Sequence, residues 1–73
     1  MPESRLHNSI KVQRAKHDLT QEQLADRIGV TRKTINTIET GKYVPSTVLA
    51  LRLARVFRIS VEELFQLDET EKE

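Results

Sequence analysis

The chain contains no cysteine, no tryptophan and only three tyrosine or phenylalanine residues among its 73 residues. Without cysteine it can form neither a disulfide nor a thiolate zinc site, which are two common supports of small domains. It also lacks a signal-peptide pattern and any run approaching the roughly 20 apolar residues that a membrane helix needs. These absences predict a soluble, cytoplasmic protein that gains stability from a partner subunit.

The length allows one small domain, and such a domain buries only about 60% of the surface of its unfolded chain. That leaves no room for an enzyme cleft beside a core. The net charge of +1 is distributed unevenly: residues 1–42 carry eight basic and five acidic residues, a net +3, whereas residues 43–73 carry four and six, a net −2. This asymmetry favours a polyanionic partner at the N-terminal half.

Apolar residues recur at spacings of three and four without strict alternation, which predicts an all-α fold, a five-helix bundle. The first helix is predicted from about Asn8 to His17, followed by a left-handed cap at Asp18. The second helix opens at Thr20, where Gln23 completes a capping box. Further boundaries are predicted at glycine and side-chain caps, namely Gly29, Thr31, Gly41, Ser46 and Ser60.

These boundaries place the fourth helix at about residues 47–57 and the fifth at about residues 61–67. Only about three residues join the second and third helices, so these two helices must cross steeply. Residues 1–67 are predicted to form one domain, and the polar, acidic segment 68–73 a disordered tail.

The third helix, in the segment TRKTINTIET at residues 31–40, needs only Ile35 and Ile38 for its buried side. A solvated outer face in so charged a sequence would usually carry Glu/Lys pairs, but this one offers hydrogen-bond donors and methyl groups. A helix of about ten residues with such a face fits the major groove of DNA, where all four base pairs can be distinguished. The pattern therefore indicates a helix that reads base edges.

The stretch LTQEQLADRIGVTRKTINTIETGK, residues 19–42, resembles the helix-turn-helix of the Cro and phage-repressor family, also called the Xre family. The segments VPS, LARVF and SVEELF that follow also fit the small stand-alone members, so the resemblance covers nearly the whole chain. It implies a lambda-repressor-like fold and a regulator that binds double-stranded DNA, as a repressor dimer on a palindromic operator. The shared positions are Gln21, Ala25, Gly29, Ile35, Ile38, Glu39, Gly41 and Lys42.

The resemblance places Arg32 and Lys33 at the family's first base-reading positions, where their side chains suit guanine O6 and N7. Asn36 would pair with adenine, and Thr37 would offer thymine a hydroxyl or a methyl group. The alternative for Arg32 and Lys33 is a solvated basic helix start, although basic residues there oppose the helix dipole. Asn36 and Thr37 would equally well face water.

Four further residues are candidates for contacts with DNA phosphates. Gln21 opens the second helix, where free amides and the dipole favour a phosphate oxygen, and the matching glutamine of the family holds the backbone. Lys42 would contact a phosphate beyond the reading helix. Thr31 and Thr40 flank that helix, and the family often has Asn where Thr40 stands.

Arg14 and Glu39 resemble the buried ion pair that joins the first helix to the third in many family members, which implies a structural role.

Two other positions depart from the family pattern. Asp18 stands where Gly is frequent, and Gln13 stands where a large apolar residue is frequent. Neither departure threatens the predicted fold.

A homodimer is expected because one reading helix contacts only about four or five base pairs, too few to select a genomic site. The candidate interface residues are Val48 and Leu51 of the fourth helix and Phe65 and Leu67 of the fifth. The alternative is that Phe65 closes the core of the monomer and Leu67 packs on the tail.

Enzymatic, metal and cofactor functions are not expected. His7 and His17 have no nearby carboxylate at the spacing of a metal site, and no small-molecule ligand or membrane partner is predicted. Two alternatives to a repressor stay open. One is an antitoxin or restriction-modification controller with the same reading helix, and the other is a protein-interaction module that has lost DNA binding.

Overall fold

A computed structural model describes residues 6–67, and it contains five α-helices and one two-stranded antiparallel sheet over that range. The elements, in chain order, are β1 (Leu6–Asn8), α1 (Ile10–Lys16), α2 (Gln21–Ile28), α3 (Arg32–Glu39), α4 (Thr47–Phe57), α5 (Val61–Leu64) and β2 (Phe65–Leu67). The predicted disordered tail, residues 68–73, lies outside the described residues, as do residues 1–5. None of the helices within 6–67 is long and apolar enough to span a membrane.

The helix starts follow the predicted caps. The side chain of Thr20 accepts a hydrogen bond from the backbone amide of Gln23, whose side chain accepts in return from the amide of Thr20, as a capping box requires. Ser46 caps α4, whose bounds coincide with the predicted ones. Asp18 adopts the predicted left-handed conformation, with φ of 59°. These ends of the helices are therefore determined locally.

The prediction of an all-α fold is wrong at both ends of the described chain. Strand β1 pairs antiparallel with β2, so that Leu6 lies opposite Leu67 and Asn8 lies opposite Phe65. The first helix consequently begins at Ile10 rather than near Asn8, and the fifth ends at Leu64 rather than near Leu67. Strands of three residues are too short to show the alternation that identifies a strand in a sequence.

The side chain of Asn8 joins the sheet to two helices. Its Nδ2 donates to the carbonyl oxygen of Ile38 at 3.0 Å, and its Oδ1 accepts from the backbone amide of Ile10 at 3.1 Å. The backbone amide of Ser9, the residue after Asn8, donates to the carbonyl oxygen of Leu64 at 3.0 Å. The start of α1, the end of α3 and the end of α5 are thus held at one place.

A single apolar core lies between the helices. Ala25 lies on the inner side of α2 and is almost completely buried. Its small side chain permits the close packing of α2 on α3. Arg52 of α4 donates to the carbonyl oxygen of Ile28 at 3.4 Å, which fixes α4 against the end of α2. The core residues are Ile10, Leu24, Ala25, Ile28, Ile35, Ile38, Leu49, Leu53, Ala54, Phe57, Leu64 and Phe65.

The end of α4 generates a test of backbone strain. Arg58 has φ of 59°, a left-handed conformation that costs a side-chain-bearing residue about 1–2 kcal/mol. Arg58→Gly should therefore raise the free energy of unfolding by about 0.5–1 kcal/mol, measured by urea denaturation at fixed protein concentration. The matched change Arg55→Gly, inside α4, should lower it by about 1 kcal/mol. A loss of stability in both variants would contradict this account.

Candidate nucleic-acid interface

The short turn between α2 and α3 presents one side of α3 to solvent. Gly29 closes α2 with φ of 79°, and the Thr31 side chain accepts from the backbone amide of Thr34 to start α3. Ile35 and Ile38 face the core, as predicted. Among the predicted base-reading residues, Arg32, Lys33 and Asn36 are exposed and Thr37 is half-buried. They lie on one continuous outer face of α3.

Glu39, which carries the only carboxylate of α3, does not contribute to that outer face. Its Oε2 accepts from Arg14 Nε at 2.6 Å, and its Oε1 accepts from Arg14 Nη2 at 3.2 Å. The side chains are only 16% and 8% exposed for Arg14 and Glu39 respectively. Arg14 also donates through Nη1 to the carbonyl oxygen of Leu19 at 3.1 Å. The pair joins α1 to α3 through a bidentate, largely desolvated contact.

Gln21 extends this ion pair toward the surface. Its Nε2 donates to Glu39 Oε1 at 3.1 Å and to Asn36 Oδ1 at 3.3 Å. Its Oε1 accepts from Arg32 Nη1 at 3.4 Å. The side-chain amide of Gln21 is therefore oriented by three partners, and two of them are predicted base-reading residues.

The remaining predicted phosphate contacts differ in how free they are to meet DNA. The hydroxyl of Thr40 donates within the helix, to the carbonyl oxygens of Asn36 at 2.9 Å and Thr37 at 3.3 Å. The hydroxyl of Thr31 shares a hydrogen bond of 3.1 Å with that of Thr34. The side chain of Lys42 is exposed beside the end of α3. Of these three, Lys42 is the residue best placed to meet an anion.

Thr37 likewise uses its hydroxyl internally. It donates to the carbonyl oxygen of Thr34 at 2.9 Å, while its own carbonyl oxygen accepts from the backbone amides of Lys42 at 2.9 Å and Tyr43 at 3.1 Å. The hydroxyl proton of Thr37 is therefore used within the protein, which leaves its methyl group and the acceptor side of its hydroxyl for a ligand. Tyr43, which was not among the predicted site residues, is held beside α3 by this bond.

Two residues of the site region, Tyr43 and Asn8, were not assigned a role from the sequence. Tyr43 is the only tyrosine, and it directly follows a predicted phosphate-binding lysine. Asn8 has the short amide side chain typical of helix starts, and here it also binds the last turn of α3. Tyr43 is noticeable as the single tyrosine of the sequence. The contact of Asn8 with Ile38 joins residues that are 30 positions apart, so it has no local signal.

The four predicted dimer residues fall into two groups. Val48 and Leu51 on α4, and Leu67 at the end of β2, are exposed apolar residues. Phe65 is only 8% exposed and forms part of the core of the protomer. The exposed surface of α4 thus has two apolar residues that the core does not use, while Phe65 has little surface left for a partner.

Neither histidine lies in a metal-binding cluster. The ring of His17 is 5.4 Å from that of Phe57, centroid to centroid, at a tilt of 48°. Within the portion of the chain that the structure covers, no three His, Cys, Asp or Glu residues are grouped so as to hold a metal ion. The polar residues of this domain that converge are those around α2 and α3.

Together these features define a small helical domain with two consecutive short helices, the second of which exposes a cationic, hydrogen-bonding face. Residues 10–64 match the sequence profile of the family described as helix-turn-helix. The chain belongs to this family, and the predicted resemblance to its Cro and phage-repressor type is confirmed.

Known proteins similar to this chain support the same class. An uncharacterized HTH-type transcriptional regulator of Archaeoglobus fulgidus is 50% identical over 66 residues, which cover 90% of this chain and 93% of the relative. The restriction-modification controller protein C.AhdI of Aeromonas hydrophila is 31% identical, with a TM-score of 0.68 over 74% of this chain and 82% of its own. The P22 c2 repressor, solved with a synthetic operator, is 24% identical, with a TM-score of 0.70 over 73% of this chain and 80% of its own. This last similarity concerns the fold alone.

The ion pair between α1 and α3 can be tested by a double-mutant cycle. Arg14→Met or Glu39→Met alone should lower the free energy of unfolding by about 3–5 kcal/mol, because each leaves a buried charge without its partner. The double variant should recover part of that loss. Urea denaturation measures all three, with the exposed Lys16→Met on the same helix as a control that changes stability by less than about 0.5 kcal/mol. Small and additive effects would show that the two charges act independently.

Proposed function

We propose that the protein is a sequence-specific transcriptional regulator that binds double-stranded DNA, and that it acts in the cytoplasm as a repressor which dimerises on a palindromic operator. Membership of the helix-turn-helix family and the relatives described as transcriptional regulators support the general class. The residue assignments and the dimer are supported by geometry and chemistry.

The observation that carries the proposal is the charge of the exposed face of α3. This helix opens with Arg32 and Lys33 and has no acidic residue in its first turn, so two cations stand at the positive end of the helix dipole. Such an arrangement is locally unfavourable without an anion. The ion pair withdraws Glu39 from the surface, so the same face presents no carboxylate to the phosphates of DNA. A polyanion is therefore the partner that this face fits.

Base reading is assigned to Arg32, Lys33, Asn36 and Thr37. Arg32 and Lys33 provide donors for guanine, and Asn36 provides the donor and acceptor that adenine requires. Thr37 would contact a thymine methyl group through its own methyl group, since its hydroxyl donates to Thr34. The contact of Gln21 with Arg32 and Asn36 limits the orientations of both side chains before DNA binds.

Backbone binding is assigned to Gln21 and Lys42, with secondary contributions from Thr31 and Thr40. The first backbone amides of α2 have no partner within the helix, as at any helix start, and Gln21 occupies its first position. Lys42 provides a charge after α3. Thr31 and Thr40 would have to redirect hydroxyl groups that are bonded within the protein, so their contributions should be smaller.

Replacement of Arg32 tests the base-reading assignment. Arg32→Ala should weaken binding to the best site by about 1–3 kcal/mol and relax the preference at one base pair in each half-site, because a donor pair to one base is lost. Selection from a random-duplex library, followed by binding titrations on single-base variants, measures both effects. Arg27→Ala removes the same charge from the far end of α2 and should not change any base preference. An equal loss on every sequence would mean that Arg32 contacts phosphate.

The proposed dimer joins through the exposed surface of α4 and the end of β2. Val48, Leu51 and Leu67 contribute apolar surface that the protomer leaves uncovered, and Phe65 lies beneath it in the core. Two copies related by a two-fold axis would place their α3 helices in successive major grooves, about 10 base pairs apart. An interface made by this part of the chain leaves Arg32 and Lys33 of both copies free.

A single charge on α4 should separate dimerisation from folding. Leu51→Glu should shift the protein from dimer to monomer at micromolar concentration, because a buried carboxylate in the interface would be unpaired. Sedimentation equilibrium measures the shift, and footprinting should show loss of the two-half-site pattern. Val12→Glu is the matched control, since Val12 on α1 is 55% exposed and Leu51 is 56% exposed. Dissociation by both variants, or by neither, would exclude this interface.

A restriction-modification controller is the second candidate, favoured by the 31% identity to such a protein over most of both chains. It would use the same DNA-binding surface for a different regulated gene. The discriminating observation is the position of the selected binding site: a site upstream of a neighbouring restriction gene would identify a controller. A chain that binds no duplex at low salt would instead be an interaction module.

A further inference from the structure

A small concave surface lies beside the outer face of α3, and two of the six residues that line it, Thr34 and Tyr43, have no role in the proposed base and phosphate contacts. We call it the Tyr43 notch. It has a volume of about 360 Å³ and is open to solvent. Its lining consists of Thr31, Lys33, Thr34, Thr37, Lys42 and Tyr43.

The hydroxyl groups in the notch are bonded to the protein. Those of Thr31 and Thr34 share a hydrogen bond of 3.1 Å, and that of Thr37 donates to the carbonyl oxygen of Thr34 at 2.9 Å. Beside these hydroxyl groups, the notch offers a ligand the threonine methyl groups and the aromatic ring of Tyr43 with its phenolic hydroxyl. The notch therefore combines methyl groups and an aromatic ring with two cations, Lys33 and Lys42.

The backbone of Tyr43 is fixed beside this surface, although the residue follows the helix. The backbone amides of Lys42 and Tyr43 donate to the carbonyl oxygen of Thr37 at 2.9 and 3.1 Å, which ties both residues to the last turn of α3. Tyr43 is nevertheless 45% exposed. With the backbone fixed, only the two side-chain torsions of Tyr43 remain to be ordered, so little conformational entropy is lost when a ligand covers the ring.

We infer that the Tyr43 notch binds one deoxyribose of the DNA backbone, with the ring of Tyr43 and the methyl groups of Thr31 and Thr34 against the sugar and the Lys42 ammonium on the adjoining phosphate. This inference rests on the proposed DNA-binding function. Lys33 and Thr37 belong both to the notch and to the reading face, so the notch would meet the strand that borders the bases being read. Methyl groups and an aromatic ring suit the carbon atoms of a sugar, and a lysine ammonium suits the phosphate next to it, so a sugar–phosphate unit matches both parts of the lining.

The test uses Tyr43→Ala, Tyr43→Phe and the control Val44→Ala, in which the neighbouring exposed residue that does not line the notch is truncated. Tyr43→Ala should weaken binding to the selected site and to random duplex by the same factor, about five- to tenfold, because apolar contact with a sugar carries no sequence information. Its dependence on salt should equal that of the wild type, since no charge is lost, whereas Lys42→Gln should reduce the salt slope by about one unit. Tyr43→Phe and Val44→Ala should bind as the wild type does.

Hydroxyl-radical footprinting reports directly on the sugars, because the radical attacks deoxyribose. Tyr43→Ala, at saturating protein concentration, should lose protection at one sugar in each half-site, while Tyr43→Phe should retain it. Three outcomes would overturn the inference: unchanged affinity and footprint in Tyr43→Ala, a loss confined to one base pair, or an equal loss in Tyr43→Phe. If the wild-type chain binds no duplex at all, the proposed function itself fails. If it binds and Tyr43→Ala behaves as the wild type does, only the assignment of the notch is wrong.

Discussion

The ion pair between Arg14 and Glu39 is the contact on which both the packing of the helices and the charge of the outer face depend. It joins α1 to α3 across a largely desolvated space, and Gln21 adds α2 to the same group of hydrogen bonds. A lone carboxylate at the end of α3 would repel DNA phosphates, and a lone guanidinium in the interior would be strongly destabilising. Pairing them satisfies both charges and leaves a cationic surface outside.

Local signals in the sequence predict most of the helices, because caps and turns are properties of a few consecutive residues. Thr20, Ser46 and Ser60 start helices where the pattern places them, and the bounds of α4 agree with the prediction. The sheet could not be predicted in this way. Leu6 and Leu67 meet only because α5 ends beside α1, so the pairing is a consequence of the tertiary fold and leaves no periodic pattern in the sequence.

For the candidate site, the sequence likewise predicts which residues face outward but not which groups they bond. Periodicity places Ile35 and Ile38 inside, and the outward direction of Arg32 and Lys33 follows from that alone. The partners of individual polar groups do not follow. Whether the hydroxyl of Thr37 faces solvent or donates to the preceding turn depends on its rotamer, and residue spacing does not determine a rotamer.

Helix α4 has a buried apolar side and an exposed apolar side. The sequence suggests both Phe65 and Leu51 for a dimer interface, but Phe65 stabilises the core of the protomer whereas Leu51 is exposed. Leu53 and Phe57 belong to the buried stripe of α4, against which the protomer core including Phe65 is built, whereas Leu51 lies outside that stripe. A polar change at Phe65 would disrupt the core before it affected any partner. The exposed apolar residues of α4 are not needed by the core, and covering them would remove apolar surface from water, which is favourable. In the proposed dimer, a second copy of the chain joined through α4 would cover that surface and at the same time supply a second α3 for the other half-site.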